Sequence, residues 1–108
     1  MTEYRVEFAD EAWQAIEAQV RYIAVAKQAP ENASRWVNRL MAAIDALEQI
    51  PRRFIVDPDQ TRMHGIEVHR MVFERTYLVF YTVDDKRRRV NVVSFRHGAQ
   101  EPPKPPSP

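Results

Sequence analysis

The chain begins with an alternation of apolar and charged side chains that is typical of a half-buried strand. Tyr4, Val6 and Phe8 are separated by Arg5 and Glu7, which is the period of two expected for a strand with one face on a core. Over residues 10–27 and 30–50 the apolar side chains instead recur at steps of three and four, which predicts two amphipathic helices. We expect the stripes to be largely buried through Trp13, Ile16, Val20, Trp36, Leu40, Ile44 and Leu47.

Short connections and prolines set the boundaries of these helices. Residues 27–29 are a link too short for anything but a turn, so the two helices should form an antiparallel hairpin. Pro30 suits the first position of the second helix, and Pro51 ends it. Residues 51–65 are polar, contain Pro58 and have no clear period, so we predict that they form a loop.

Three further strands are expected at about 66–73, 76–83 and 89–96, joined by turns at Glu74-Arg75 and at residues 84–87. Such short turns make consecutive strands antiparallel neighbours. The element order is therefore β-α-α-β-β-β, and the fold class is α+β. Its simplest architecture is the two-helix antiparallel hairpin packed on one face of an antiparallel sheet.

The last two strands carry more apolar side chains than one buried face requires. Strict alternation separates Leu78 and Phe80 from Tyr77, Val79, Tyr81 and Val83, and it separates Val93 and Phe95 from Val90 and Val92. Because two helices can cover only one face, the other face should be exposed, and an exposed apolar face is typical of a partner site. We assign the partner to the face of Tyr77, Val79 and Tyr81.

Composition narrows the class of protein without naming a function. The chain has 108 residues and no cysteine, which predicts one domain over residues 1–100 without disulfides. It has no apolar run near the ~20 residues that span a bilayer and no basic, apolar leader, so we expect a cytoplasmic location and no membrane partner. Residues 101–108 hold five prolines among eight residues, which predicts a disordered tail.

The order and spacing of several segments resemble a known family of bacterial toxins. The segments are YRVEFADEAWQAIEAQVRYIA, ASRWVNRLMAAIDALEQIP, YLVFYTV and VNVVSFRHGAQ, and together they resemble the RelE/ParE superfamily of type II toxin–antitoxin systems. The ending Arg96-His97-Gly98-Ala99 is similar to the RHGAR ending of ParE-like members, often labelled plasmid stabilisation proteins. This chain has Gln100 where many of them have Arg.

The resemblance implies an antitoxin partner and leaves two mechanisms open. ParE-like members inhibit DNA gyrase, and RelE-like members cut mRNA on the ribosome. For RNA cleavage the candidate catalytic residues are Arg70 and Arg96 as phosphate clamps and His97 as the acid, with Glu67 or His69 as the base. Neither mechanism implies a cofactor, and the histidines lack the three or four converging ligands of a metal site.

Strand alternation and the resemblance both favour the ParE-like mechanism. Neighbouring strand residues point to opposite faces, so His69 should be separated from Arg70, and Arg96 from His97. Leu78 also stands where RNA-cutting members typically have a phosphate-binding arginine. We therefore predict inhibition of gyrase or another protein target, with Arg96 and His97 as target-binding residues.

Overall fold

The computed structural model describes residues 3–98, which form a two-helix layer on one four-stranded sheet. The expected tail at 101–108 lies outside the described residues. The strands are β1 (Arg5–Phe8), β2 (His69–Phe73), β3 (Tyr77–Asp84) and β4 (Arg89–His97). The helices are α1 (Asp10–Arg21), α2 (Pro30–Asp45) and α3 (Pro58–His64). A π-helical turn, Tyr22–Ala26, extends α1, and a 3-10 turn, Ala46–Glu48, extends α2.

The sheet has the strand order β1-β4-β3-β2 and is mixed. β2, β3 and β4 form the expected antiparallel meander. β1 lies beside β4 and runs parallel to it, with Val6 opposite Val90 and Phe8 opposite Val92. The fold class is confirmed, but the sheet is not antiparallel throughout. The helices connect β1 to β2 and not to β4. Because no tight turn joins β1 to β4, the two strands can run parallel to each other.

Local sequence explains where most elements begin and end. Asp10 and Glu11 lie in the first turn of α1 and Arg21 in its last, which suits the dipole of a helix. Pro30 occupies the first turn of α2 as expected. At the turn between β2 and β3, Glu74 and Arg75 have φ values of 50° and 61°, the positive values of a type I′ hairpin.

The expected loop at 51–65 contains the short helix α3, which corrects the prediction. The Asp57 carboxylate accepts a hydrogen bond from the backbone N–H of Gln60 at 2.8 Å, and Pro58 follows at the first helical position. Gly65 ends the helix with φ 74°, a conformation that glycine adopts at little cost. The Asp-Pro and Gly signals were present in the sequence, but the segment is too short to show a helical period.

The core lies between the helix hairpin and the sheet face that carries Val79 and Tyr81. Ile16, Leu40, Ile44 and Leu47 are at most 1 % exposed. The ring of Trp36 meets those of Tyr77, Phe95 and Phe73 edge to face at 5.1, 5.9 and 6.1 Å. This is the packing that aromatic quadrupoles favour. The expected burial is thus confirmed for these helical positions.

Trp13 does not belong to this core, contrary to the prediction. Its side chain is 42 % exposed and packs edge to face on Phe8 at 5.4 Å between ring centroids. Ala12 and Ile16, four residues apart, are the buried residues of α1, and Val20 is only half-buried. The helix is therefore rotated by about one residue relative to the stripe that its larger side chains indicate.

A β-bulge in β4 changes the faces on which its side chains lie. Phe80 pairs with Ser94, whereas Tyr81 pairs with Val92, so Val93 is an extra residue in the strand. Phe95 pairs with Val79 and is 6 % exposed, on the same face as Val90 and Val92. Strict alternation wrongly placed Phe95 on the opposite face.

Candidate functional site

The face expected to bind the antitoxin is the face that the helices cover. Val79 and Tyr81 are 0 % exposed, and Tyr77 is half-buried against the same core. The expectation that these three side chains form an exposed surface is therefore wrong. Period-two alternation separates the two sets of side chains correctly, but it does not say which set points at the helices.

Tyr81 of β3 and His69 of β2 lie opposite each other and form a buried polar pair on the sheet face that the helices cover. Their rings are stacked at 5.2 Å with an angle of 16° between the planes. The Tyr81 hydroxyl donates to the carbonyl of Pro51 at 2.7 Å, and Nδ1 of His69 donates to the carbonyl of Phe54 at 2.8 Å. Burial raises the pKa of Tyr81 to about 12. His69 is 4 % exposed, so it cannot reach a bound RNA as a general base.

Arg70 and Arg96 lie together on the open face, which is the sheet face that points away from the α1–α2 hairpin. Arg70 pairs with Phe80, and Arg96 pairs with Leu78, and directly paired residues share a face. The Arg96 guanidinium lies 5.3 Å from the centroid of the Phe80 ring. Nη1 of Arg70 lies 3.4 Å from the Asp57 carboxylate. The open face therefore carries two neighbouring guanidinium groups.

The open face is less apolar than the sequence predicts. Phe80 is 1 % exposed although it points away from the hairpin, whereas Val72 is 52 % exposed. The positions beside Phe80 on β4 are taken by Ser94 and Arg96, because the bulge turns Phe95 inward. The broad exposed apolar surface that we expected is thus reduced to Val72 and the half-buried Leu78.

His97 lies on the opposite face from Arg96, at the end of β4. It pairs with Tyr77, and the two rings meet edge to face at 5.4 Å. Here His97 lines an open groove of about 540 Å³ that also includes residues of α1, of its π-helical turn and of α2. The candidate clamps are therefore brought together, whereas the candidate acid is separated from them by the sheet.

Asp57 is a site residue that sequence reasoning missed. It caps α3 through one carboxylate oxygen and lies near Arg70 through the other. Its position before Pro58 is a helix-start signal, but the pairing with Arg70 depends on the fold. Among residues 3–98, no group of three or more His, Asp or Glu side chains could hold a metal ion. Within the same range, no helix is long and apolar enough to cross a bilayer.

Comparisons with known proteins give a family for the sequence and a similar fold for the structure. The family model described as the ParE toxin of the type II toxin–antitoxin system, parDE, matches residues 6–102. A solved structure titled "Chromosomal ParDE TA system from P. aeruginosa" is 14 % identical, with a TM-score of 0.67 over 88 % of this chain and 96 % of that one. Curated proteins gave no match. The chain therefore belongs to the ParE toxin family of type II toxin–antitoxin systems.

Proposed function

We propose that this chain arrests growth by binding a protein target, DNA gyrase being the target that the family suggests, and that a cognate antitoxin neutralises it. The observation that carries the choice of mechanism is the separation of the arginine pair from both strand histidines. Arg70 and Arg96 lie on the open face, whereas His69 and His97 lie on the face towards the helices.

Metal-independent RNA cleavage needs a clamp, a base and an acid around one phosphate. These groups must lie within hydrogen-bond reach of the reacting atoms, and a small displacement can lower the rate about 100-fold. A β-sheet between the guanidinium groups and the imidazoles does not meet that requirement. Leu78, which pairs with Arg96, also offers no charge to a developing phosphate dianion. These features support a binding toxin over a nuclease.

The end of β4 is the proposed contact with the target. Arg96 and His97 are adjacent in sequence but lie on opposite faces, so a partner that reaches both must enclose the end of the strand. Both side chains are only half-buried and therefore remain accessible. Arginine can bind carboxylates through two parallel hydrogen bonds, which suits an acidic surface on the target.

Two assays on the purified chain test the mechanism. We expect loss of DNA supercoiling when the chain is added to gyrase, and no cleavage of ribosome-bound mRNA. Arg96→Ala and His97→Ala should each weaken inhibition of supercoiling. Arg87→Ala is the matched control, because Arg87 is exposed at the opposite end of the β3–β4 hairpin. Efficient mRNA cleavage that disappears in Arg96→Ala or His97→Ala would establish the RelE-like alternative instead.

The antitoxin is proposed to bind the open face, where Val72 is the most exposed apolar side chain of the sheet strands. Val72→Asp should weaken binding of the protein encoded by the adjacent gene, without unfolding the domain. Val25→Asp is the control, since Val25 is 70 % exposed on the π-helical turn after α1. Equal affinity of Val72→Asp and the unmodified chain would place the antitoxin elsewhere.

A further inference from the structure

A cavity of about 240 Å³ opens between α2 and the π-helical turn that follows α1. Of its described lining residues, Ile23 belongs to the turn, and the others lie on α2: Asn32, Arg35, Trp36 and Arg39. Steps of three and four residues place these α2 side chains on one face of the helix. That face therefore presents an amide, two guanidinium groups and an indole to the same space.

The indole N–H of Trp36 is a buried donor for which residues 3–98 provide no hydrogen-bond acceptor. Trp36 is 4 % exposed and forms the floor of the cavity. Buried polar groups in native proteins are nearly always paired, because an unpaired donor keeps the full cost of its desolvation. An acceptor that enters the cavity from solvent removes that cost. The indole N–H therefore indicates a ligand with acceptor oxygens.

The cavity also carries positive charge that its lining does not neutralise. Nη2 of Arg35 donates to Oδ1 of Asn32 at 2.6 Å, and this acceptor is uncharged. Within the part of the chain that the structure describes, Arg35 forms no ion pair. Arg39 donates to Glu74 through Nε at 2.6 Å and through Nη2 at 3.4 Å, so the hydrogens of its Nη1 remain available. None of the described lining residues is acidic.

The donors of the cavity match a phosphate group better than a carboxylate. Because Oδ1 of Asn32 accepts from Arg35, the amide hydrogens of Asn32 remain as donors, and they add to the N–H groups of Trp36 and of the two arginines. A phosphate monoester offers more acceptor oxygens than a carboxylate and carries a charge of about −2 at neutral pH. Arginine also binds phosphate through two parallel hydrogen bonds. Asn32 lies in the first turn of α2, where the helix dipole favours an anion.

We propose that this cavity binds a phosphate group. Arg35 and Arg39 offset the negative charge of the phosphate, while Nε1 of Trp36 and Nδ2 of Asn32 donate hydrogen bonds to its oxygens. The cavity lies in the helix layer. None of its described lining residues belongs to the surfaces proposed for the antitoxin and for the target, so it is a separate binding site.

The neighbouring groove provides room for the rest of a phosphate-bearing ligand. It has a volume of about 540 Å³ and shares Ile23 and Asn32 with the cavity. The ring of Tyr22, which is 51 % exposed, also lines this groove. A planar ring of a ligand can stack on an exposed aromatic side chain, so a nucleoside monophosphate suits the two spaces together. Free inorganic phosphate would occupy the cavity alone.

The chain has 2 tryptophans, which allows a direct test by NMR spectroscopy on the full chain. Each indole N–H gives its own signal, and Trp13 is the internal control because it lines a different cavity. Inorganic phosphate, added at constant ionic strength, should shift the Trp36 indole signal until it saturates and should shift the Trp13 signal several-fold less. Trp36 itself is kept, because its ring belongs to the core.

Two exposed arginines provide a matched pair of variants. Arg35→Gln should raise the dissociation constant for phosphate about tenfold, because it removes charge-assisted hydrogen bonds to the anion. Arg21→Gln is the control, since Arg21 is also exposed in the helix layer but lines the cavity beside Trp13. A Trp36 shift that Arg35→Gln leaves unchanged would overturn the proposal. Equal shifts of the two indole signals, or no shift of the Trp36 signal, would overturn it as well.

Three further ligands separate phosphate from other groups and identify its source. Adenosine monophosphate that binds several-fold more tightly than inorganic phosphate would support the site and place the nucleoside in the groove. Equal binding of the two would support the site and assign it to free phosphate. Acetate or adenosine that shifts the Trp36 signal as strongly as phosphate would overturn the proposal. Because the measurement uses neither gyrase nor an antitoxin, its failure would leave the proposed function intact.

Discussion

At the scale of single residues, Tyr81 connects the sheet to the segment that follows α2. Its hydroxyl lies 2.7 Å from the carbonyl of Pro51, and its ring is fully buried against His69. A buried carbonyl that loses its donor retains the full cost of desolvation. The hydroxyl is therefore a structural group in this protein, and the sequence analysis had assigned Tyr81 to a binding surface.

Tyr81→Phe should lower the free energy of unfolding by about 1–3 kcal/mol at neutral pH. The change leaves the ring in place and leaves the Pro51 carbonyl without its donor. Urea denaturation measures the loss. Tyr4→Phe is the control, because the Tyr4 hydroxyl donates to Asp85 at the exposed surface and should matter less. A Tyr81→Phe variant as stable as the unmodified chain would contradict this role.

Alkaline pH provides a separate prediction for Tyr81. Its folded pKa is raised from 10 to about 12, so the phenol stays neutral in the folded chain while the unfolded chain ionises. Its contribution to stability is complete below pH 10 and is lost as the pH rises through about 12. Unfolding midpoints measured at about pH 8 and about pH 11 should therefore differ more for the unmodified chain than for Tyr81→Phe. An equal decline of the midpoint in both proteins would show that ionisation of the Tyr81 phenol does not cause the loss of stability.

At the scale of elements, the bulge in β4 decides what each face of the sheet presents. The extra residue Val93 returns Phe95 to the face of Val90 and Val92, and it keeps Arg96 on the open face. A regular strand with the same sequence would bury Arg96 and expose Phe95. The bulge therefore allows one strand to serve both the core and the proposed target contact.

Phe95→Ala should cost about 3–5 kcal/mol of stability, as expected for a large aromatic side chain in a packed core. Val93→Ala should cost clearly less, since Val93 is half-buried outside the main core. Under strict alternation both side chains would lie on the same face of the sheet, and the two substitutions would lower stability by similar amounts. Chemical denaturation of the two variants distinguishes the arrangements, and comparable losses would argue against the bulge.

The helix α3 depends on its cap because it has only 7 residues. Asp57→Ala should lower stability by about 0.5–2 kcal/mol through loss of the hydrogen bond to Gln60. Asp57→Asn is the matched control: asparagine caps helices as well as aspartate does, so most of the loss should be avoided. Thermal denaturation measures both, and an equal loss in both variants would instead implicate the charge facing Arg70.

At the scale of the whole molecule, one core joins both long helices to all four strands. Buried and partly buried side chains from α1, α2, β1, β2, β3 and β4 belong to a single cluster. A single cluster predicts one cooperative unfolding transition. Far-ultraviolet circular dichroism and tryptophan fluorescence should therefore give coincident urea curves, with Trp36 reporting from the core. Separate midpoints would show that the sheet and hairpin unfold independently.

The sequence by itself determined the element order, the helix stripes through Leu40 and Ile44, and the turn at Glu74-Arg75. The element order and the stripes depend on local periodicity, and the turn lies where two charged residues interrupt the apolar pattern. It also separated Arg96 from His97, because neighbouring strand residues point to opposite faces.

Only the tertiary structure decided which sheet face the helices cover and therefore that Val79 and Tyr81 are buried. It likewise decided the parallel pairing of β1 with β4, the position of the bulge at Val93 and the approach of Asp57 to Arg70. Each of these depends on contacts between segments far apart in the chain. A period of two looks the same whichever face of the sheet is buried. Packing therefore decides which face is buried, and here the larger apolar face packs against the hairpin.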